Sequence, residues 1–269
     1  MISSLRAEGT RVIDLARPSP EAASAALALA VERGEIERLF IAGGDGLVHL
    51  AIQHVAATSI PVTIVPVGTG NDFVAALDQR MSKTTTNGIS TDLIKVSTPG
   101  GSQSWAASVA IAGFPADINQ RANTMSRRWG SNVYAVAAAL QLPHFERRTI
   151  RLTVDSEKIT TNTAMLAIGN TRYFGGGMLP CPDAQPDDHL LHFTSIEGVG
   201  RIGLLPHLLG RAGGTADRKE VRRERGRRIE IESQGELFWA DGEPVGTSPL
   251  TFEVVPDALK VERVGADTS

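Results

Sequence analysis

The 269-residue sequence contains one cysteine, Cys181. A lone thiol forms no internal disulfide and has no companion for a cysteine-based zinc site, so a disulfide-stapled secreted scaffold is excluded and a reducing cytoplasm is expected. Charge of one sign is also lacking. The 27 Lys+Arg stand against 30 Asp+Glu for a net charge of -3, which argues against a surface built for nucleic acid. No run approaches the about 18 consecutive apolar residues of a membrane span, and no charged segment leads into an apolar one near Met1. The sequence therefore predicts neither a spanning nor a secreted protein. Aromatic residues make up only 5% of the chain, but 42% is hydrophobic, enough for one large or, more in keeping with the length, two modest domains. Gly-x-x-x-x-Gly-Lys-Ser/Thr and Gly-x-Gly-x-x-Gly are both missing, which removes support for P-loop NTPases and Rossmann dehydrogenases.

What the chain does have is a pair of glycine-rich turns, Gly43-Gly44-Asp45-Gly46 and Gly68-Thr69-Gly70-Asn71-Asp72. Each follows a short apolar run, RLFIA at 38–42 and VTIVP at 62–66, of the kind that forms buried strands. Residues 47–57 between the turns have the length of a crossover helix. Strand, turn, helix, strand and turn make a βαβ unit, whose right-handed crossover puts both turns at the carboxyl ends of parallel strands, where open α/β sheets bind ligands. Glycines leave backbone N–H groups uncovered beside a helix N-terminus, a setting for phosphate oxygens. Asp45 and Asp72 would repel a phosphate unless a cation lay between, and Mg2+ shared by carboxylates and phosphates answers that. Ordinary packing turns are the plain alternative for either turn alone.

A strand over 10–15 and a helix over 20–33 precede the first turn, and a helix from 71 to about 79 follows the second. From about residue 90 the texture changes to short alternating runs such as DLIKV, SWAASVAIA, RTIRLTV, TAMLAIGN and LTFEVV, the pattern of an antiparallel β domain. Helices are predicted over 134–141 and 200–209. The expected fold class is α/β in two domains. Residues 1–89 form an α/β nucleotide-binding domain with a parallel sheet, short of its first strand, and residues 90–269 form a larger antiparallel β-rich domain whose last strand returns to the first.

AGGDG followed some 20 residues later by VPVGTGNDFVAAL resembles the catalytic domain of the diacylglycerol kinase family, in particular its bacterial lipid kinases, with sphingosine and ceramide kinases as relatives and NAD kinases more distant. Asp92-Leu93, Gly113-Phe114, Arg127-Arg128, Gly169-Asn170, residues 173–178 (YFGGGM), Pro182, Ala184, Asp187-Asp188 and Asp241-Gly242-Glu243 continue the likeness in order. The resemblance implies a cleft between the domains, ATP as phosphoryl donor and Mg2+ as cofactor. It places the nucleotide on Gly43, Gly44, Asp45, Gly46, Gly68, Thr69, Gly70 and Asn71, and the chemistry on Asp45, Asp72 and Glu243, with Glu243 taking the hydroxyl proton. It puts metal on Asp45, Asp72, Asp187 and Asp188, the last two in a polar turn where a solvated loop is the alternative. Asp241-Gly242 is at the same time a good hairpin turn signal.

The likeness has gaps. Leu47, His49 and Leu50 stand where Thr, Asn and Glu are usual, Ser108 where Asn is usual, Pro115 where an acid is usual and His189 where Gly is usual. The N-terminal strand and its Asn-Pro loop do not appear. The stretch from Arg218 to Arg228 carries seven basic and two acidic residues; near an anionic phospholipid surface each cation would contribute roughly 1 kcal/mol, and the alternative is a solvated strand with ion pairs. The expected protein is a cytoplasmic lipid kinase peripheral to the inner face of the membrane. Its lipid substrate lies at that surface, diacylglycerol first, with no nucleic-acid partner. The oligomeric state stays open, a homodimer included. Two rivals remain: a non-catalytic homologue that keeps a nucleotide or lipid pocket, and a kinase for a soluble acceptor, as in NAD kinases.

Overall fold

The computed structural model describes residues 13–68, 70–82, 88–125, 133–175, 177–201, 203–204 and 219–262. Helix α1 (Pro20–Glu32) starts where Ser19 Oγ accepts the Ala22 N–H at 3.3 Å and proline occupies the first turn. Strand β1 (Leu39–Gly43) leads into α2 (Asp45–Val55), and β2 (Val62–Pro66) leads into α3 (Asp72–Met81). The two strands are parallel, with Leu39 opposite Val62 and Gly43 opposite Pro66, so both glycine turns lie at the same sheet edge. Leu27, Ile41, Val48, Ile52, Val55, Val62, Phe73 and Leu77 close the core of this half. The strand expected over 10–15 lies partly outside the described residues, and 13–15 have no regular structure.

The second half is antiparallel. Strands β3 (Gly88–Ser97), β4 (Gln103–Ala106), β5 (Val109–Gly113), β6 (Arg148–Val154), β7 (Glu157–Gly169), β8 (Leu191–Glu197), β9 (Val221–Gly226), β10 (Arg228–Ile231), β11 (Leu237–Ala240), β12 (Glu243–Thr247) and β13 (Leu250–Glu262) account for it. The apolar run at 104–112 reads as one strand but is two, broken at Ala107 and Ser108. Both backbone N–H groups there donate to Asp241, at 2.7 and 2.9 Å, instead of to a neighbouring strand. Helix α4 (Phe114–Thr124), which periodicity did not predict, follows β5 through Gly113, whose positive φ of 84° suits glycine. The helix predicted over 134–141 is present as α5 (Val133–Gln141), and that over 200–209 falls mostly outside the described residues.

One β-network joins the halves. Its main path runs β1-β2-β13-β10-β6-β7-β5-β11-β12. Strand β13 pairs with β10 at its start and in parallel with β2 at its end, Val261 opposite Val62. It follows β3 along most of its length, with a bulge between Val255 and Leu259. At that bulge the fully buried Asp92 accepts the Asp257 N–H at 3.0 Å and the His189 N–H at 2.7 Å, so a carboxylate on β3 secures the kink.

Candidate active site

The two glycine turns touch backbone to backbone. A Cβ on Gly68 would lie 2.5 Å from Gly44 Cα, and one on Gly44 would lie 3.1 Å from Gly68 Cα. No side chain larger than hydrogen fits at Gly68 without parting the turns. Helix α2 starts at Gly44 with no side-chain cap, and with the Leu47 N–H already donating to the Gly44 carbonyl at 3.0 Å, the Asp45 and Gly46 N–H groups are the ones aimed at an external acceptor.

The second turn is different. Asp45, at the start of α2, reaches across so that Oδ2 accepts the Asp72 N–H at 3.2 Å and Oδ1 the Phe73 N–H at 3.3 Å. Those two donors at the start of α3 are engaged, which narrows the expectation that both turns cradle phosphate alike. Asn71 takes the left-handed conformation at φ 55°, and its Nδ2 donates to the Gly68 carbonyl at 2.8 Å. Its buried Oδ1 has no partner. Asp72 turns to the other half of the molecule and accepts the Gly177 N–H at 3.1 Å, so Gly177 lies against the second turn. Thr69 and Gly176 fall outside the described residues.

The hairpin at 241–243 meets the first turn's helix. Asp241 is buried at positive φ, 53°, between Ala107 and Ser108 N–H on one side and His49 Nδ1, 3.2 Å from Oδ2, on the other. Glu243, two residues on, is exposed and makes no hydrogen bond or ion pair among the described residues. It begins β12 two residues after Asp241, its backbone paired with Ala240 of β11 across the hairpin.

Asp187 and Asp188, the other expected metal ligands, each meet a side chain of the protein. Asp187 Oδ2 lies 2.6 Å from Arg80 Nε at the end of α3, and Asp188 Oδ2 lies 2.8 Å from His192 Nε2. The Asp188 Oδ1 also accepts the Leu190 N–H at 3.0 Å. Each carboxylate therefore has at least one partner among the protein's own groups. Among the described residues no group of three or more His, Cys, Asp or Glu side chains is arranged to hold a cation. Asp45 and Asp72 are only two carboxylates, a set that suits Mg2+ carried in by phosphate oxygens better than a metal held by protein alone.

The departures Leu47 and Leu50 have separate fates. Leu50 packs against the core of the first half. Leu47 stays 40% exposed and lies over the first turn, its Cδ2 2.7 Å from where a Cβ on Gly43 would be. In the basic stretch, Arg222 pairs with Glu157 and Glu224, and Arg228 with Glu230 and Glu253, as the ion-paired alternative expected. Arg225 and Arg227 are exposed, and Arg218 lies outside the described residues. Burial pushes the Cys181 thiol up to about 12, and its Sγ donates to the His192 carbonyl, so it is an inert core group. No helix among the described residues is long and apolar enough to cross a membrane.

Comparison with known proteins agrees with this geometry in both halves. Residues 2–100 match the diacylglycerol kinase catalytic domain, and residues 108–263 match the YegS C-terminal NAD kinase beta sandwich-like domain. A protein of Mycobacterium tuberculosis named "Diacylglycerol kinase" is 32% identical over 97% of this chain and 88% of its own length. A "Probable lipid kinase YegS-like" of Stenotrophomonas maltophilia is 28% identical over 87% of this chain and 81% of its own. In fold, the chain resembles a crystal structure of a diacylglycerol kinase from Bacillus anthracis with a TM-score of 0.64 at 16% identity, covering 91% of this chain and 83% of that one. Matched in both halves and along nearly its whole length, the chain belongs to the diacylglycerol kinase family of lipid kinases.

Proposed function

We propose that this protein transfers the γ-phosphate of ATP to a lipid hydroxyl, with diacylglycerol as the first acceptor to test. The observation that carries the reading is the uncapped start of α2 at Gly44, pressed against Gly68 and flanked by Asp45 and Asp72. Backbone N–H groups of the first turn bind the phosphate chain. Asp45 and Asp72 would hold the Mg2+ that enters with the nucleotide, and the ion neutralises charge on the phosphates. Glu243 accepts the proton of the lipid hydroxyl as that oxygen bonds to the γ-phosphorus and the bond to the β-phosphate oxygen breaks, leaving ADP. The reaction takes place at an anionic membrane surface, where the exposed Arg225 and Arg227 supply attraction.

Incubation with γ-labelled ATP, Mg2+ and vesicles of anionic phospholipid carrying diacylglycerol should yield a labelled, chloroform-soluble phospholipid. Absence of label in every lipid offered, from protein of native circular dichroism, refutes the kinase reading. A second reading has its own support in Leu47 over the first turn: a homologue that binds nucleotide without turnover. Raised thermal stability with ATP, together with no labelled lipid, is its signature.

A further inference from the structure

His49 stands where the family resemblance leads one to expect asparagine, and its surroundings give it a part in the site. Its side chain is 12% exposed and that of Asp241 2%, with Nδ1 and Oδ2 3.2 Å apart. The other partners of the Asp241 carboxylate are the Ala107 and Ser108 N–H groups. A carboxylate this deeply buried depends on each donor, because removal of one leaves charge uncompensated.

Gln53, one turn after His49 on α2, supports it from behind. The Gln53 Nε2 donates to the His49 carbonyl at 2.9 Å and the Trp105 carbonyl at 2.8 Å, and Oε1 accepts the Trp105 N–H at 2.9 Å. The same Nε2 lies 3.5 Å from His49 Nε2. The two Gln53 amide protons are taken by these carbonyls, so the 3.5 Å approach to His49 Nε2 is a packing contact, and it is the Asp241 carboxylate that calls for a proton on Nδ1. Helix α2 is thereby fastened through Gln53 to Trp105 of β4 and through His49 to Asp241 of the hairpin that presents Glu243.

We propose that His49 is a positioning residue for the proton acceptor: by holding Asp241 it sets the 241–243 turn relative to the first glycine turn, and so sets Glu243 relative to the phosphate. The inference rests on the lipid-kinase reading and adds a residue to it. The Glu243 side chain makes no hydrogen bond or ion pair of its own among the described residues, and its backbone is held by pairing with Ala240 across the hairpin that Asp241 opens, so its place follows that of the hairpin. Displacement by about 1 Å of a reacting group costs about 100-fold in rate.

His49→Ala and His49→Asn test this in the intact protein. In His49→Ala, kcat for lipid phosphorylation is expected to fall about 100-fold with KM for ATP nearly unchanged. His49→Asn keeps a side-chain N–H donor on the same helix face and is expected to recover most of that loss. Hydrogen exchange on the same proteins should show Ala107 and Ser108 amides deprotected in the alanine variant and protected in the asparagine variant. A wild-type kcat in His49→Ala, a loss confined to KM for ATP, or an asparagine variant no better than alanine overturns the proposal. Failure of the underlying reading looks different, because the wild type itself is then inactive. In that event unchanged protection of Ala107 and Ser108 in His49→Ala overturns the link between His49 and the turn on its own.

Discussion

The two glycine turns look alike in sequence: an apolar strand, glycines, an aspartate and a helix. Their aspartates do different things. Asp45 closes the start of α3 within its own half, whereas Asp72 reaches Gly177 in the other half. The first turn's helix starts without a side-chain cap, and the second has its start closed by a carboxylate of the first. Under the proposed function, two turns nearly identical in sequence are one cradle and one brace, and the carboxylate that makes the second a brace belongs to the first.

Substituting each aspartate separates these functions. Asp72→Asn keeps an oxygen for the Gly177 N–H, so stability should change by less than about 1 kcal/mol. Lipid phosphorylation should fall at least about 100-fold, as expected when the charge facing a catalytic cation is lost. Unchanged turnover would make both turns purely structural. Next in size is Gly68→Ala, whose methyl must displace the Gly44 backbone. Urea unfolding should show a loss of about 1–3 kcal/mol, the usual cost of overpacking, with weakened ATP binding by calorimetry. Asp45→Ala removes a cap from α3 and should cost about 1–2 kcal/mol in the same assay. If Asp72→Ala costs as much stability as Asp45→Ala, the division into cradle and brace fails.

The smallest effect concerns the helices behind the first turn. His54 Nε2 lies 2.7 Å from Ser24 Oγ between α1 and α2, and burial lowers the imidazole pKa below its ordinary 6.5. The folded protein thus binds this proton less readily than the unfolded chain does. The stability contribution is whole above the unfolded value and is lost as pH falls through the folded one. Melting temperature should decline from pH 7 to pH 5, and His54→Gln should make that decline shallower.

Legibility followed distance along the chain. Strands β1 and β2, helix α1 and both turns were readable because apolar runs, a proline at a helix start and glycine clusters are local signals. The family blocks marked Asp45, Asp72 and Glu243. Their partners were not marked. Asp45 to Phe73 spans 28 residues, Asp72 to Gly177 spans 105 and His49 to Asp241 spans 192, and no periodicity encodes such pairs. The break between β4 and β5 was hidden for the same reason, since its cause is a carboxylate more than 130 residues away. The acidic turn at Asp187 and Asp188 shows its charge in the sequence but not the Arg80 and His192 side chains that meet it.

Strand β13 has a consequence for how the chain matures. Its final residues supply the neighbour of β2, so the parallel sheet under the glycine turns is completed by residues 261–262. During synthesis at about 5–20 residues per second, the first 100 residues leave the ribosome well before that neighbour exists. The edge of β2 stays open in the meantime, a site for non-native strand pairing. Nucleotide binding is therefore expected to arise late, when the last strand docks, and a nascent chain halted at residue 249 should fail to bind ATP although both glycine turns have long been made.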